Sequence, residues 1–279
     1  MKFEKMQGTG NDYIYFNLFE ERIDDPSTLS IKLSDRHFGV GGDGIVLIGP
    51  SDEGDFSMRM FNADGSEAEM CGNASRCVAK YLYERGLTKK REIALDTKAG
   101  IKYLQLFIDP QTDTVQRVRV NMGEASVSSQ SIPVVSELPE VIDQPLTIDG
   151  KEFRITCVSM GNPHAVIFTS DIDNLKLDEI GPKIENHPMF PQRTNVEFIE
   201  VVDRNTFKMR VWERGSGETL ACGTGACASV VAGVLNNRCD TRVTVKLKGG
   251  DLDIEWDKTN NQVYLTGDAH FVFKGEIPD

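Results

Sequence analysis

No stretch of this 279-residue chain approaches the roughly 20 apolar residues that a bilayer crossing requires. A transmembrane helix is therefore not expected. The opening residues, MKFEKMQGTGNDY, lack the apolar core of a secretory signal. The six cysteines are thus expected to be reduced thiols in the cytoplasm, not a disulfide framework. Zinc-knuckle spacing is missing as well. Cys71/Cys77 and Cys222/Cys227 are not CxxC pairs and have no neighbouring His to complete a ligand set, so no metal is expected. A basic stripe is absent, and the net charge of −12 argues against nucleic acid or an anionic membrane as partner. One G-x-G-x-x-G is present, Gly39–Gly44, but it precedes the β-like run Ile45–Ile48 where a dinucleotide fingerprint would open a helix. A nucleotide site is rejected on that ground. No lysine context suggests pyridoxal phosphate, so no cofactor is expected.

What the chain does have is an internal repeat. Sliding it by 151 places Cys71-Gly72 on Cys222-Gly223 and Gly10-Asn11 on Gly161-Asn162. The same shift lays Phe56–Phe61 on Phe207–Trp212 and Glu67 on Glu218. Residues 10–80 against 161–231 give eleven identities without a gap, where background composition would give roughly four. The identities cluster at the two cysteines and the two Gly-Asn pairs. Such a period is too long for a solenoid and implies two related halves.

Hydrophobic residues make up 39% of the chain and charged ones 27%, enough apolar material for a core in each half. The pattern predicts short strands over 2–6, 13–17, 45–48, 56–61, 92–95, 101–108 and 115–120, with helices at 26–35 and 71–85. The second half repeats that order. Strands are predicted over 153–159, 165–168, 196–202, 207–213, 243–248, 252–256 and 263–266, with helices near 177–184 and over 223–236. A last strand covers 270–275. Residues 124–150, rich in Ser, Pro and Asp, read as the boundary. The expected fold is α+β, with two pseudo-symmetric halves, each a mostly antiparallel sheet wrapped around one dominant helix. The first half is expected over 1–120, completed by a C-terminal strand in 263–279. The second is expected over 121–262, with the active site in a cleft between them.

Each key cysteine stands at a predicted helix start, where unpaired N–H groups and the helix dipole favour negative charge. A thiol there is expected to be acidified, and a carboxylate can bind the N–H groups of Gly72, Asn73, Gly223 and Thr224. A thiolate and a thiol on opposite faces of an amino-acid α-carbon could invert it, one removing a proton and the other delivering one. Cys77, Cys157, Cys227 and Cys239 read as small buried hydrophobes.

At these residues the chain resembles the diaminopimelate epimerase family. The matching blocks are Gly8–Asp12, Arg36–Gly41, Phe61–Ser66, Met70–Ala74, Gly161–His164, Arg193–Val196, Trp212–Gly215 and Ala221–Gly225. The resemblance implies a cofactor-independent isomerase that interconverts LL- and meso-diaminopimelate in lysine and peptidoglycan precursor synthesis. It implies that Cys71 and Cys222 are the acid/base residues. Asn11, Asn62, Asn162, Asn195, Glu213 and Arg214 would recognise the rest of the substrate, while His164 and Glu213 would adjust the cysteine acidities. Arg214 suits a distal carboxylate, which it can bind with two parallel bonds. Two departures stand out. Gly44 occupies a position where some members carry glutamine, and Phe273 one where some carry a tyrosine proposed to support dimerisation; a homodimer is left open. The rival readings are a proline or hydroxyproline racemase of the same fold and a non-catalytic small-molecule binder.

Overall fold

The computed structural model describes residues 1–278. Along the first part of the chain lie β1 (Lys2–Gly8), β2 (Asn11–Asn17), α1 (Pro26–Ser34), β3 (Gly44–Gly49), β4 (Phe56–Asn62) and β5 (Glu67–Ala68). These lead to α2 (Gly72–Glu84), β6 (Glu92–Thr97), β7 (Gly100–Asp109) and β8 (Thr114–Glu124). The later part holds β9 (Gln144–Ile148), β10 (Lys151–Ser159), β11 (Pro163–Phe168), a 3-10 turn (Ile172–Asn174), α3 (Leu177–Glu185) and β12 (Asn195–Asp203). Then follow β13 (Thr206–Glu213), β14 (Gly217–Glu218), α4 (Gly223–Leu235), β15 (Arg242–Leu247), β16 (Gly250–Asp257), β17 (Gln262–Gly267) and β18 (His270–Glu276). The chain forms two compact units, Met1–Asn121 with Thr266–Asp279, and Met122–Leu265.

The repeat is carried down to strand register. In the first unit β18, β1, β2, β3, β4, β6, β7 and β8 lie side by side, all antiparallel except β2–β3 and β4–β6. In the second, β9 to β13 followed by β15 and β16 do the same, and β11–β12 and β13–β15 are the parallel pairs. Tyr13 pairs with Gly44 and His164 with Asn195, each a shift of 151 from the other. Periodicity within a strand cannot reveal which neighbour it pairs with, so the parallel pairs could not be read from the chain.

Each sheet packs on its central helix. In α2 every residue from Gly72 to Ala79 is buried, including Arg76 at 0% exposure. In α4 the buried run extends from Gly225 to Gly233. A helix so enclosed is apolar on all sides, and α4, GTGACASVVAGVL, has that composition. Both helices also stop where the pattern stops, with Gly86 at φ 75° just past α2.

Residues 124–150 behave differently from a loose boundary. Ile132, Val134, Val141, Leu146 and Ile148 are buried in the core of the second unit, and β9 pairs with β10. The polar residues between them masked the apolar anchors. No helix among the described residues is long and apolar enough to cross a membrane.

Candidate active site: one cysteine constellation in each unit

Cys71 immediately precedes α2 in an extended conformation, φ −138° and ψ 122°, and its side chain makes no bond to the helix N–H groups. Its Sγ lies 3.4 Å from Asn11 Oδ1. Asn11 is oriented from its other end, where Nδ2 donates to Asp43 Oδ2 at 2.6 Å. Asp43 is in turn held by Arg36, which also bonds Asp12, and Lys5 reaches Asp12 at 2.7 Å. Burial pushes the Asp12 carboxyl up, but the Arg36 and Lys5 cations outweigh it and hold it below the usual carboxylate range. Asn11 is thereby a fixed amide beside the thiol.

One turn into α2 lies the unit's least expected group. The Arg76 guanidinium is fully buried and bonds only neutral oxygens: Asn73 Oδ1 at 2.9 Å, the Thr9 hydroxyl at 3.1 Å and the Asp268 carbonyl at 2.9 Å. It fixes the Asn73 side chain and leaves a positive charge behind the helix start. Asn62 is engaged within its own turn, its Nδ2 donating to Ser66 Oγ at 3.0 Å. Gly44 has φ 157°, and a Cβ there would fall 2.0 Å from the Phe61 carbonyl. The backbone has closed in on the glycine, so a larger side chain cannot enter without moving β4.

Cys222 precedes α4 with the same extended backbone, φ −127° and ψ 108°. Its surroundings have the opposite sign. Burial raises the Cys222 thiol well above its ordinary pKa, and the Glu213 and Glu197 carboxylates raise it further; Thr224 and the Gly225 N–H oppose them. This corrects the expectation that a helix start would acidify both thiols: at Cys222 desolvation and two carboxylates outweigh the helix dipole. Burial also raises the Glu213 carboxyl, against a 2.5 Å bond from the Thr219 hydroxyl. His164 is fully buried, with Nδ1 2.6 Å from Glu197 Oε1 and Nε2 3.0 Å from Asn162 Oδ1. Asn162 Nδ2 lies 3.3 Å from Thr224 Oγ1, which stands 3.5 Å from Cys222 Sγ.

Asn195 is buried with both ends of its amide taken. Oδ1 accepts the Arg214 N–H at 2.9 Å and Nδ2 donates to the Pro163 carbonyl at 2.9 Å. It acts here as a strut under Arg214, whose exposed guanidinium touches only the Gln192 carbonyl, at 3.2 Å. Glu185 braces the same turn, bonding Trp212 Nε1 at 2.8 Å, the Gly215 N–H at 2.9 Å and Arg193 at 3.1 Å.

Glu197, Glu185 and Arg76 were not singled out by the sequence. Burial pushes the thiols of Cys77 to about 11 and of Cys157 and Cys239 to about 12, as small apolar core residues would have. A cavity of about 590 Å³ lined by Glu4, Glu20 and Arg85 lies at the far end of α2 from Cys71 and holds none of these groups.

The diaminopimelate epimerase family model matches residues 3–128 and 156–272. The chain is 58% identical over 277 residues to a diaminopimelate epimerase of Acetivibrio thermocellus, covering 99% of this chain and 98% of the relative. Among solved structures, a PhzF-family phenazine biosynthesis protein of Bacillus anthracis superposes with a TM-score of 0.72 at 16% identity, covering 100% of this chain and 99% of the other. A hydroxyproline epimerase of Agrobacterium vitis, crystallised with trans-4-hydroxy-L-proline, does so with a TM-score of 0.66 at 16% identity, over 99% of this chain and 90% of the other. These two likenesses concern the fold alone.

Proposed function

This chain belongs to the diaminopimelate epimerase family, and from that premise we propose that it interconverts LL- and meso-diaminopimelate by two-thiol proton transfer. The observation that carries the reading is the pair Cys71 and Cys222, each at the start of its unit's central helix. The enzyme is an isomerase serving lysine and peptidoglycan precursor synthesis. Its reaction belongs in the cytoplasm, where thiols stay reduced.

Stereoinversion requires a base on one face of the α-carbon and an acid on the other. A thiol is far more acidic than an α-proton, so the carbanion needs electrostatic support. The N–H groups of Gly72, Asn73, Gly223 and Thr224, at the two helix starts, can supply it by binding the α-carboxylate. Cys71 and Cys222 exchange the roles of base and acid when the direction reverses. His164 and Glu213 adjust the acidity of Cys222. Asn11, Asn62, Asn162, Asn195, Glu213 and Arg214 recognise the remainder of the substrate, directly or by holding a neighbour.

Arg214 discriminates against the hydroxyproline-type alternative. An exposed guanidinium braced through Asn195 suits a distal carboxylate, which a ring imino acid lacks. The test is deuterium incorporation at Cα from heavy water. Exchange into diaminopimelate and none into proline is expected. Exchange into proline at a comparable rate, or wild-type turnover by Cys71→Ala or Cys222→Ala, would overturn the reading. A homodimer belongs to the same proposal: Val272 and Phe273 on β18 are about half exposed, and sedimentation at micromolar protein should give twice the monomer mass.

A further inference from the structure

Glu197 is the most deeply placed charge of the second unit. Its side chain has no exposure, Oε1 sits 2.6 Å from His164 Nδ1, and Oε2 has no hydrogen-bond partner. Alternation along β12 turns Val196 and Phe198 into the apolar core and Glu197 toward α4. There a Cβ on Gly225 would lie 2.6 Å from Oε1 and 3.2 Å from Cys222 Sγ. The glycine is what lets the carboxylate approach the cysteine's helix so closely.

Both ring nitrogens of His164 face oxygens that accept, a carboxylate at Nδ1 and the Asn162 amide oxygen at Nε2. A hydrogen on each ring nitrogen satisfies both oxygens. The direction of every later bond then follows. His164 Nε2–H donates to Asn162 Oδ1. That leaves Asn162 Nδ2 to donate to Thr224 Oγ1. The Thr224 hydroxyl, its oxygen already receiving a donor, has its own hydrogen left for Cys222 Sγ at 3.5 Å.

We propose that Glu197 is a positioning residue for Cys222: its buried carboxylate orients a one-way chain of hydrogen bonds through His164, Asn162 and Thr224 that ends with a donor on the cysteine sulfur. The proposal rests on reading Cys222 as an acid/base residue. The chain gives the thiolate a partner in a place where Glu213 and Glu197 oppose its charge, while Cys157, also beside Glu197, stays a buried thiol. A Gln at position 197 can donate to His164 Nδ1 as well as accept from it, so the chain loses its fixed direction.

The experiment is alkylation of the full-length protein by iodoacetamide across pH 6–10, with Cys222 followed by peptide mass spectrometry. Glu197→Gln removes a carboxylate that opposes the Cys222 thiolate as well as the fixed direction, so the orientation is read as the difference between two backgrounds. Near pH 8, Glu197→Gln should be roughly tenfold less favourable to Cys222 alkylation when the Thr224 hydroxyl is present than in a Thr224→Ala background, where the last link is already cut. If Glu197→Gln does not fold, His164→Gln breaks the same chain one link further on and carries the same expectation. An equal effect of Glu197→Gln with and without the Thr224 hydroxyl would overturn the proposal. Activity of Cys222→Ala is a separate readout: turnover there would sink the two-thiol reading, whereas its loss beside an equal effect in the two backgrounds would sink only the role of Glu197.

Discussion

Cys71 and Cys222 open helices of 13 residues each, in sheets whose pairing matches at a shift of 151 before the helices and 150 after them, yet the charges behind them differ in sign. Behind Cys71 lies Arg76, a buried cation bonded to neutral oxygens. Behind Cys222 lie the carboxylates of Glu213 and Glu197, the latter paired with His164. A buried cation favours the charged form of a nearby thiol and a carboxylate disfavours it. Backbone geometry was thus kept between the repeats while electrostatics diverged. In the proposed two-thiol reaction, that divergence biases which sulfur starts with the proton.

The largest effect expected is from the sulfurs themselves. Cys71→Ala and Cys222→Ala should each lower the rate of epimerisation by about 10³-fold or more; a much smaller loss at one of them would break the equivalence of the two helices. Next comes Glu213→Gln. The Cys222 thiol is raised by burial and then by Glu213, so removing that carboxylate should lower the pH midpoint of Cys222 alkylation while kcat falls about 100-fold. Arg76→Met should do the reverse at Cys71, raising its midpoint, since a charge that favours the thiolate is gone. It should also cost about 2–4 kcal/mol in urea unfolding, because Asn73, Thr9 and Asp268 lose a buried donor. Shifts of the same sign at the two cysteines would defeat the contrast.

The smallest test exchanges equivalent helix positions. Ala74 corresponds to Gly225, which faces the Glu197 carboxylate. Gly225→Ala would ordinarily add about 1 kcal/mol to a helix, but with its Cβ 2.6 Å from Glu197 Oε1 it should destabilise by about 1–2 kcal/mol in thermal unfolding. Ala74→Gly should cost about 1 kcal/mol through backbone entropy alone.

Much of the fold could be read before any coordinates. Apolar spacing marked α2 and α4, and the shift of 151 made one half a copy of the other. The charged groups that organise the second cysteine could not be read in the same way. Glu197 stands between Val196 and Phe198, so alternation assigns it to a solvent-facing side; only the packing of α4 on that side turns it into a buried group. Arg76 reads as one polar residue of an amphipathic helix until the sheet closes over every face. Glu185, at the end of α3, reads as a surface acid until the Trp212–Gly215 turn folds onto it. In each case burial is set by a partner distant in sequence. The same holds for 124–150, whose apolar anchors are too sparse to show a period.

One consequence of the two helix starts concerns ligand-linked stability. At the position just before a helix, Ser, Thr, Asp or Asn ordinarily caps a backbone N–H, and losing that cap costs about 1 kcal/mol. Here cysteine, a weak acceptor, holds the position twice. A carboxylate oxygen is a stronger acceptor than sulfur for the donors at a helix start. If substrate binds there as proposed, it or an inert dicarboxylate of similar shape acts as the cap, and its binding should be visible as a rise in melting temperature even in a variant whose sulfurs have been replaced.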